Sequence, residues 1–315
     1  MESYVIHLNR KCNCACRYCY ERNEHSDTEY TWEEVKSFID NLVKHNKDGC
    51  FQIEFLGGEP CLSFDLIKKS VEYFSKLPVD VSGYTITTNG TILNEDIIDF
   101  LCINQNVMWA VSMDGTKFAN QLRVFRENEE NTYDTVIKNL KKLLEAIPEN
   151  QVSVHIVTHP YNIALLSRSI DHLYNIGIRN IGVGTIESTL QIGREYAERF
   201  VKELDVVSQR IIKGKYPGLY IDVLEWLKPR SDVRYYIKDE QGRWLGESYG
   251  RTKDDITSTD IYNSYPTSSV IGTLIEDLRE EVFNIHQKRK REIHNAGKRL
   301  QGDNEVQVSK AGCNS

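Results

Sequence analysis

Short apolar runs, rich in β-branched and aromatic residues, alternate with longer amphipathic stretches along the first two thirds of the chain. Residues 4–8, 51–56, 83–87, 108–112, 152–158 and 180–184 read as strands. Residues 31–45, 64–76, 94–101, 132–146, 163–176 and 193–213 carry the 3.6-residue period of helices that bury one face. Thr31 stands three residues before Glu34, a capping-box spacing, and Ser63 precedes the helix expected to open at residue 64. Gly177 falls just past a helix ending at residue 176, where a left-handed residue is wanted. Strand and helix alternating six times predict a parallel sheet with crossover helices, either an open doubly wound sheet or a partial barrel. In both, chemistry gathers at the C-terminal ends of the strands, and every conspicuous motif of this chain falls there.

The alternation stops near residue 214. Residues 235–251 then read as a hairpin, two aromatic-rich runs around Asp239–Gly242, and residues 268–293 as a long amphipathic helix with a break near Gly272. The polar tail, 302–315, is expected to be disordered. The organisation predicted is a domain over 1–214, an extension over 215–301 and the tail.

Charge narrows the partners. The net charge of −7 carries no footprint of nucleic-acid binding. The basic stretch at residues 286–299 reads as the solvated face of the last helix. The N-terminus lacks a signal-peptide pattern, and no apolar run approaches the ~20 residues that span a bilayer. The expectation is a cytoplasmic protein whose thiols stay reduced.

That makes the cysteines informative. Eight are present, and "KCNCACRYCY" packs four of them, Cys12, Cys14, Cys16 and Cys19, just after the first strand. A structural zinc site wants two cysteine knuckles, but Cys50, Cys61, Cys102 and Cys313 are isolated and supply no second one. Read instead as Cys12-x3-Cys16-x2-Cys19, three thiolates on one loop can hold three corners of an iron–sulfur cubane, leaving one iron open. This CxxxCxxC pattern, with aromatic Tyr18 before the last cysteine, resembles the radical S-adenosylmethionine (SAM) superfamily. The resemblance implies a partial (β/α)6 TIM-like barrel, an α/β fold, with a small C-terminal α+β extension. It also implies a [4Fe–4S] cluster on Cys12, Cys16 and Cys19, SAM chelated to the fourth iron, and Tyr18 against the adenine or the cluster.

Further motifs carry the resemblance. "EFLGGEPCL" follows the second strand; Gly57-Gly58-Glu59-Pro60 is similar to the family's GGEP, whose carbonyls and Glu take the SAM ammonium. "TTNGTIL", with Asn89, follows the third strand, and "SMDGTKFANQLR" follows the fourth. By resemblance Ser112 contacts the SAM carboxylate or ribose. Arg123 is the candidate clamp on the carboxylate, with Arg126 the alternative. Asp114 reads equally well as a turn or cap residue. Thr158 and Asn162, after the fifth strand, match positions near the methionine moiety, and His155 and His159 read as structural.

The resemblance covers about residues 1–190 and is strongest to the SPASM and anaerobic sulfatase-maturating branch, which modifies peptides. It implies an enzyme that cleaves SAM reductively at one cluster, forms a 5′-deoxyadenosyl radical and takes hydrogen from a substrate. The expected substrate is a peptide or protein side chain or α-carbon, and the expected electron donor is flavodoxin or ferredoxin. The departure is that after residue 190 only Cys313 remains, so no auxiliary cluster is expected and the extension reads as a cluster-free remnant. Without a second cluster to accept an electron, redox-neutral outcomes are easier to explain than oxidations. Cys102 and Cys313 are candidate hydrogen-atom donors, although a buried Cys102 and a chain-end Cys313 are the plainer expectation; no catalytic acid or base stands out. The cysteine motif begins at residue 12, which leaves no room before it for a leader-binding domain. A radical SAM enzyme of small molecules or nucleotides and a non-enzymatic iron–sulfur or zinc protein are the alternatives.

Overall fold

The computed structural model describes residues 2–45, 50–186, 194–222, 233–238, 244–250 and 262–263. Six strand–helix units run in order. They are β1 (Glu2–His7) with α1 (Trp32–His45), β2 (Cys50–Leu56) with α2 (Phe64–Phe74), and β3 (Asp80–Thr88) with α3 (Glu95–Ile103). Then come β4 (Val107–Ser112) with α4 (Tyr133–Ala146), β5 (Val152–Thr158) with α5 (Leu166–Asn175), and β6 (Asn180–Thr185) with α6 (Arg194–Ile212). A short β7 (Tyr220–Ile221) follows, and β8 (Val233–Lys238), β9 (Trp244–Gly250) and β10 (Tyr262–Asn263) come last.

The order across the sheet resolves the choice left open by periodicity. β1 to β7 are parallel and lie side by side in chain order. A doubly wound sheet reverses its order at a switch point. A sheet wound in one direction keeps its helices on one face and curls, here into a partial barrel that does not close. β8 and β9 form an antiparallel pair in the stretch read as a hairpin, and β9 adds antiparallel to the free edge of β1. The helix expected over 268–293, the basic stretch within it and the tail lie outside the described residues.

Alternation along each strand separates the two faces. Phe51, Ile53 and Phe55 of β2, Tyr84 and Ile86 of β3, and Trp109 and Val111 of β4 are buried on the helix side. They share one core cluster with Val35, Phe38, Ile39 and Leu42 of α1, which recur at helical spacing and are buried. The concave face is polar and only partly covered: Glu54, Thr85, Thr87, Ser112 and His155 lie there. Thr87 donates to Glu54 at 2.6 Å. Ser112 stands opposite His155, and His155 opposite Gly182, so these three share one layer of the barrel.

The capping reading holds in part. The Glu34 amide donates to Thr31 Oγ1 and the Thr31 amide to Glu34 Oε2, the reciprocal bonds of a capping box. Gly177 has φ +107° and ends α5 as expected, with the Ile178 amide returning to the Leu173 carbonyl. Ser63 makes no capping bond; its hydroxyl instead accepts from Asn9 Nδ2 at 2.7 Å, turned toward the strand ends.

Candidate active site

The segment from Leu8 to Tyr30 leaves the C-terminal end of β1 and returns beside its own start. The Tyr30 amide donates to Leu8 O, Arg10 to Thr28 O, and Ser26 to Arg10 O, closing the base of a loop that carries the cysteines. A second segment pins the loop from the side. The Ala15 and Arg17 amides donate to the carbonyls of Val124 and Leu122, and the Arg126 amide to Asn13 O. The Arg126 side chain then reaches over the loop, giving Nε to the Cys12 carbonyl at 2.9 Å and Nη2 to the Cys14 carbonyl at 3.2 Å. These bonds to the cysteine backbone involve no thiol; within the loop the Cys14 amide also donates to Cys12 Sγ at 3.4 Å.

On this scaffold Cys14 is buried, while Cys12, Cys16 and Cys19 are each partly exposed. The Cys19 amide donates to the Cys16 carbonyl at 3.1 Å, a tight turn that keeps the last two cysteines together. The charge of Cys12 acts to raise Cys16, and those of Cys16 and Cys12 act to raise Cys19. Burial is the larger cause and pushes Cys16 up and Cys19 to about 11. A hydrogen bond from the Cys14 thiol draws Cys12 down. Thiols raised in this way become thiolates when a metal supplies the positive charge. Among the described residues no three His, Cys, Asp or Glu stand close enough to hold a single metal ion. A cluster gives each thiolate its own iron, so its ligands stand further apart than those of one ion. Three soft thiolate donors on one loop are the donor set an iron–sulfur cluster takes.

The glycine pair packs the second strand's turn against the loop. A Cβ on Gly58 would lie 2.3 Å from the Lys11 carbonyl oxygen, and one on Gly57, whose φ is +153°, 2.8 Å from the Asn9 carbonyl oxygen. What the glycines approach is thus the chain leading into Cys12, to which the Gly58 and Glu59 amides also donate. Because the obstruction is backbone, Gly58→Ala is expected to displace residues 9–11 while leaving the barrel intact. Iron content after anaerobic reconstitution should fall severalfold with unchanged far-ultraviolet circular dichroism; full iron content would contradict the account.

Glu59 is fully buried, and burial raises its pKa. Its carboxylate accepts from Thr88 Oγ1 at 2.6 Å, the Cys61 amide at 3.1 Å and the Asn89 amide at 2.7 Å. Three of about four acceptor positions are filled, so Glu59 chiefly ties the turns after β2 and β3 together. Pro60 opens the short helical turn that follows. Asn89 continues the chain of contacts: its Nδ2 lies 2.8 Å from Asn13 Oδ1 and 3.9 Å from Cys12 Sγ. Among the described residues, the buried side-chain atoms without a partner at the strand ends include Asn9 Oδ1, an acceptor, Arg123 Nε, a donor, and His159 Nε2. An unpartnered acceptor and an unpartnered donor are the groups that an ammonium and a carboxylate would satisfy.

Arg123 and Asp114 form a buried ion pair at 3.0 Å. Tyr18 donates to Asp114 Oδ2 at 2.8 Å, lies under the Arg123 guanidinium, and packs on His159 with ring centroids 5.3 Å apart. The Val157 amide donates to Asp114 Oδ1 at 3.1 Å. Asp114 is neither cap nor surface turn: it joins the cysteine loop, the turn after β4 and β5. Of the two arginines, Arg123 is engaged by Asp114 and Tyr18, and Arg126 by loop carbonyls. Ser112 ends β4 on the concave face, half-buried. Asn162 is spent on its own turn, accepting from the His159 amide and donating to Val157 O. Thr158 donates to Gly184 O at 2.8 Å.

Sequence reasoning passed over His25 and Asn13, whose spacing from the cysteines forms no motif. It also expected Cys102 to be buried. Cys102 is exposed in the last turn of α3, at the edge opposite the cysteine loop, with Sγ 3.7 Å from the Ala146 carbonyl. The strand end beside which it lies is the N-terminal one, so it is removed from any hydrogen-donor role at this site.

A partial barrel with a three-cysteine loop at the strands' C-terminal edge defines a radical-forming class of enzyme. The Radical SAM superfamily description matches residues 6–173, and the chain belongs to that superfamily. An uncharacterised protein of Methanocaldococcus jannaschii is 30% identical over 246 residues, 75% of this chain and 78% of that one. The cysteine-type anaerobic sulfatase-maturating enzyme of Clostridium novyi is 29% identical over 181 residues, 52% of this chain and 44% of that one. The solved structure of native anSMEcpe with bound AdoMet and Cp18Cys peptide shares the fold with a TM-score of 0.61 at 18% identity, over 71% of this chain and 64% of that one. The chain thus spans less than half of the sulfatase-maturating relative. It is an enzyme of radical chemistry, and the cofactors of its family are a [4Fe–4S] cluster and SAM. No helix among the described residues is long and apolar enough to cross a membrane.

Proposed function

We propose that this chain holds one [4Fe–4S] cluster on Cys12, Cys16 and Cys19 and modifies a side chain or α-carbon of a peptide or protein. When bound, the cluster and SAM supply reductive cleavage of the sulfonium and a carbon radical able to remove a hydrogen atom from the substrate. The chain's residues bind and orient. The observation that carries the reading is the pinned loop: three half-buried thiols, fixed by backbone bonds, at the open end of the barrel. The unpartnered Arg123 Nε supports a clamp on the SAM carboxylate, and the unpartnered Asn9 Oδ1, beside Gly57, an acceptor for its ammonium. Tyr18, Gly58, Glu59, Pro60, Asn89 and Ser112 complete the proposed SAM cradle by shaping the turns between those two atoms. The peptide class is supported by the sulfatase-maturating relative and by the peptide named in the anSMEcpe structure. The barrel of residues 1–214 would carry the radical step and residues 215–301 a substrate-facing extension, with flavodoxin or ferredoxin as electron donor.

Anaerobically reconstituted enzyme, reduced with dithionite in the presence of SAM, is expected to form 5′-deoxyadenosine and to hold about four irons per chain. About eight irons would overturn the single-cluster reading, and no 5′-deoxyadenosine would overturn the SAM site. Peptide, nucleotide and sugar pools offered in parallel then report the substrate class. Deuterium transfer into 5′-deoxyadenosine from labelled peptides alone supports the proposal; transfer from nucleotides or sugars alone replaces it.

A further inference from the structure

We infer that His25 donates a hydrogen bond from Nε2 to the sulfur of Cys19 and so raises the reduction potential of the cluster; the inference rests on reading Cys19 as a cluster ligand. His25 lies partly buried six residues beyond Cys19, where the loop turns back. Its Nδ1 is 2.7 Å from Nη2 of Arg126. A guanidinium has donors and no acceptor, so Nδ1 must offer its lone pair. An imidazolium would set two N–H groups against each other at that distance. The ring is therefore neutral, and its one proton sits on Nε2. Nε2 lies 4.0 Å from Cys19 Sγ, a long contact for nitrogen to sulfur, and it can only be a donor there.

Arg126 is itself held. Its Nε and Nη2 are bonded to the Cys12 and Cys14 carbonyls, so the group that fixes the tautomer is anchored on the same loop as the proposed ligands. A relay results: loop carbonyls orient Arg126, Arg126 orients the imidazole, and the imidazole N–H points at one sulfur. Reduction adds negative charge to a cluster and its thiolates. An N–H dipole aimed at a ligand sulfur stabilises the reduced form more than the oxidised, and the potential rises. His25 is a positioning and tuning residue, not one that touches substrate.

The first test needs no cluster. In apo-protein labelled with 15N-histidine, long-range 1H–15N correlations should show the His25 proton on Nε2; a proton on Nδ1 overturns the inference. The second compares wild type, His25→Leu and His25→Gln after anaerobic reconstitution, using redox titration followed by electron paramagnetic resonance. Gln keeps an N–H near the Nε2 position, and Leu keeps bulk without a donor. The Leu variant should lower the one-electron reduction equilibrium constant about tenfold, which is about 59 mV, with the Gln variant lying nearer wild type. Equal potentials in all three overturn the inference. So does a wild type that assembles its cluster beside a Leu variant that cannot, since His25 would then serve assembly. A wild type that holds no cluster fails the reading of Cys19 itself, and this is seen before any variant is compared.

Discussion

Cys16→Ala is expected to lose the brown iron–sulfur chromophore and to bring 5′-deoxyadenosine formation to background, while Cys14→Ala, which removes a hydrogen-bond partner of Cys12 and no ligand, keeps the chromophore and 5′-deoxyadenosine formation above background. The two residues are neighbours but one apart in sequence, and what separates them is placement. Cys14 is buried and pairs through its backbone with Phe125, whereas Cys16 is partly exposed beside Cys12 and Cys19. Loss of an outer-shell partner of a metal site costs roughly 10–100-fold, and loss of one of three cluster ligands should exceed that. The loop is held by amide and carbonyl groups and by Arg126, so removing a thiol should not unfold it. Absorption near the iron–sulfur charge-transfer bands, iron and sulfide content, and chromatographic 5′-deoxyadenosine give three readouts. Cys12→Ala and Cys19→Ala should behave as Cys16→Ala does. A chromophore that survives any of the three single substitutions would remove the basis of the assignment.

That contrast also marks where the sequence is legible. The period of strands and helices, the cysteine spacing and the glycine pair are local patterns, and all three can be read within a few residues. Strand order cannot: periodicity allows a doubly wound sheet as readily as a barrel, and only the pairing of β1 through β7 in chain order decides between them. The roles of side chains were legible as residue type but not as partner. Glu59 was marked by its motif, yet its bonds to Thr88 and Asn89 cross thirty residues of chain. The glycines were marked as permitting close approach, but the group approached is the protein's own residues 9–11. Arg126 over the Cys12 carbonyl and His25 beside Cys19 join positions whose separation carries no periodic signal. The same holds for Asp114, which in isolation resembles any turn aspartate. The edge pairing of β9 on β1 joins the two ends of the described chain and follows from no local pattern.

Asp114→Ala is expected to cost about 3–5 kcal/mol, the usual penalty for removing one partner of a buried ion pair. With domains stable by roughly 5–15 kcal/mol, that is a large share of the total. The argument turns on what is left behind. Arg123 and Asp114 are both buried, and the carboxylate accepts from Arg123, Tyr18 and the Val157 amide. Deleting it strands a guanidinium without a counter-charge and leaves a buried hydroxyl and amide short of an acceptor. The loss is read from the midpoint of urea unfolding of the apo-protein, followed by circular dichroism. Asp114→Asn retains a carbonyl acceptor but not the charge, and should fall between wild type and the alanine variant. Asp114→Leu combined with Arg123→Met removes both charges, and should recover part of the stability lost by Asp114→Leu alone. A cost below about 1 kcal/mol for Asp114→Ala would mean that water or a rearranged side chain satisfies Arg123. The same pair bears on SAM. Arg123 keeps Nε without a partner while Asp114 takes Nη2, and on the proposed function that Nε is the donor offered to the SAM carboxylate. Arg123→Lys, which keeps the charge but has no fork, should therefore raise the KM for SAM more than it alters unfolding. A change in stability with an unchanged KM would make Arg123 a brace for Tyr18 alone.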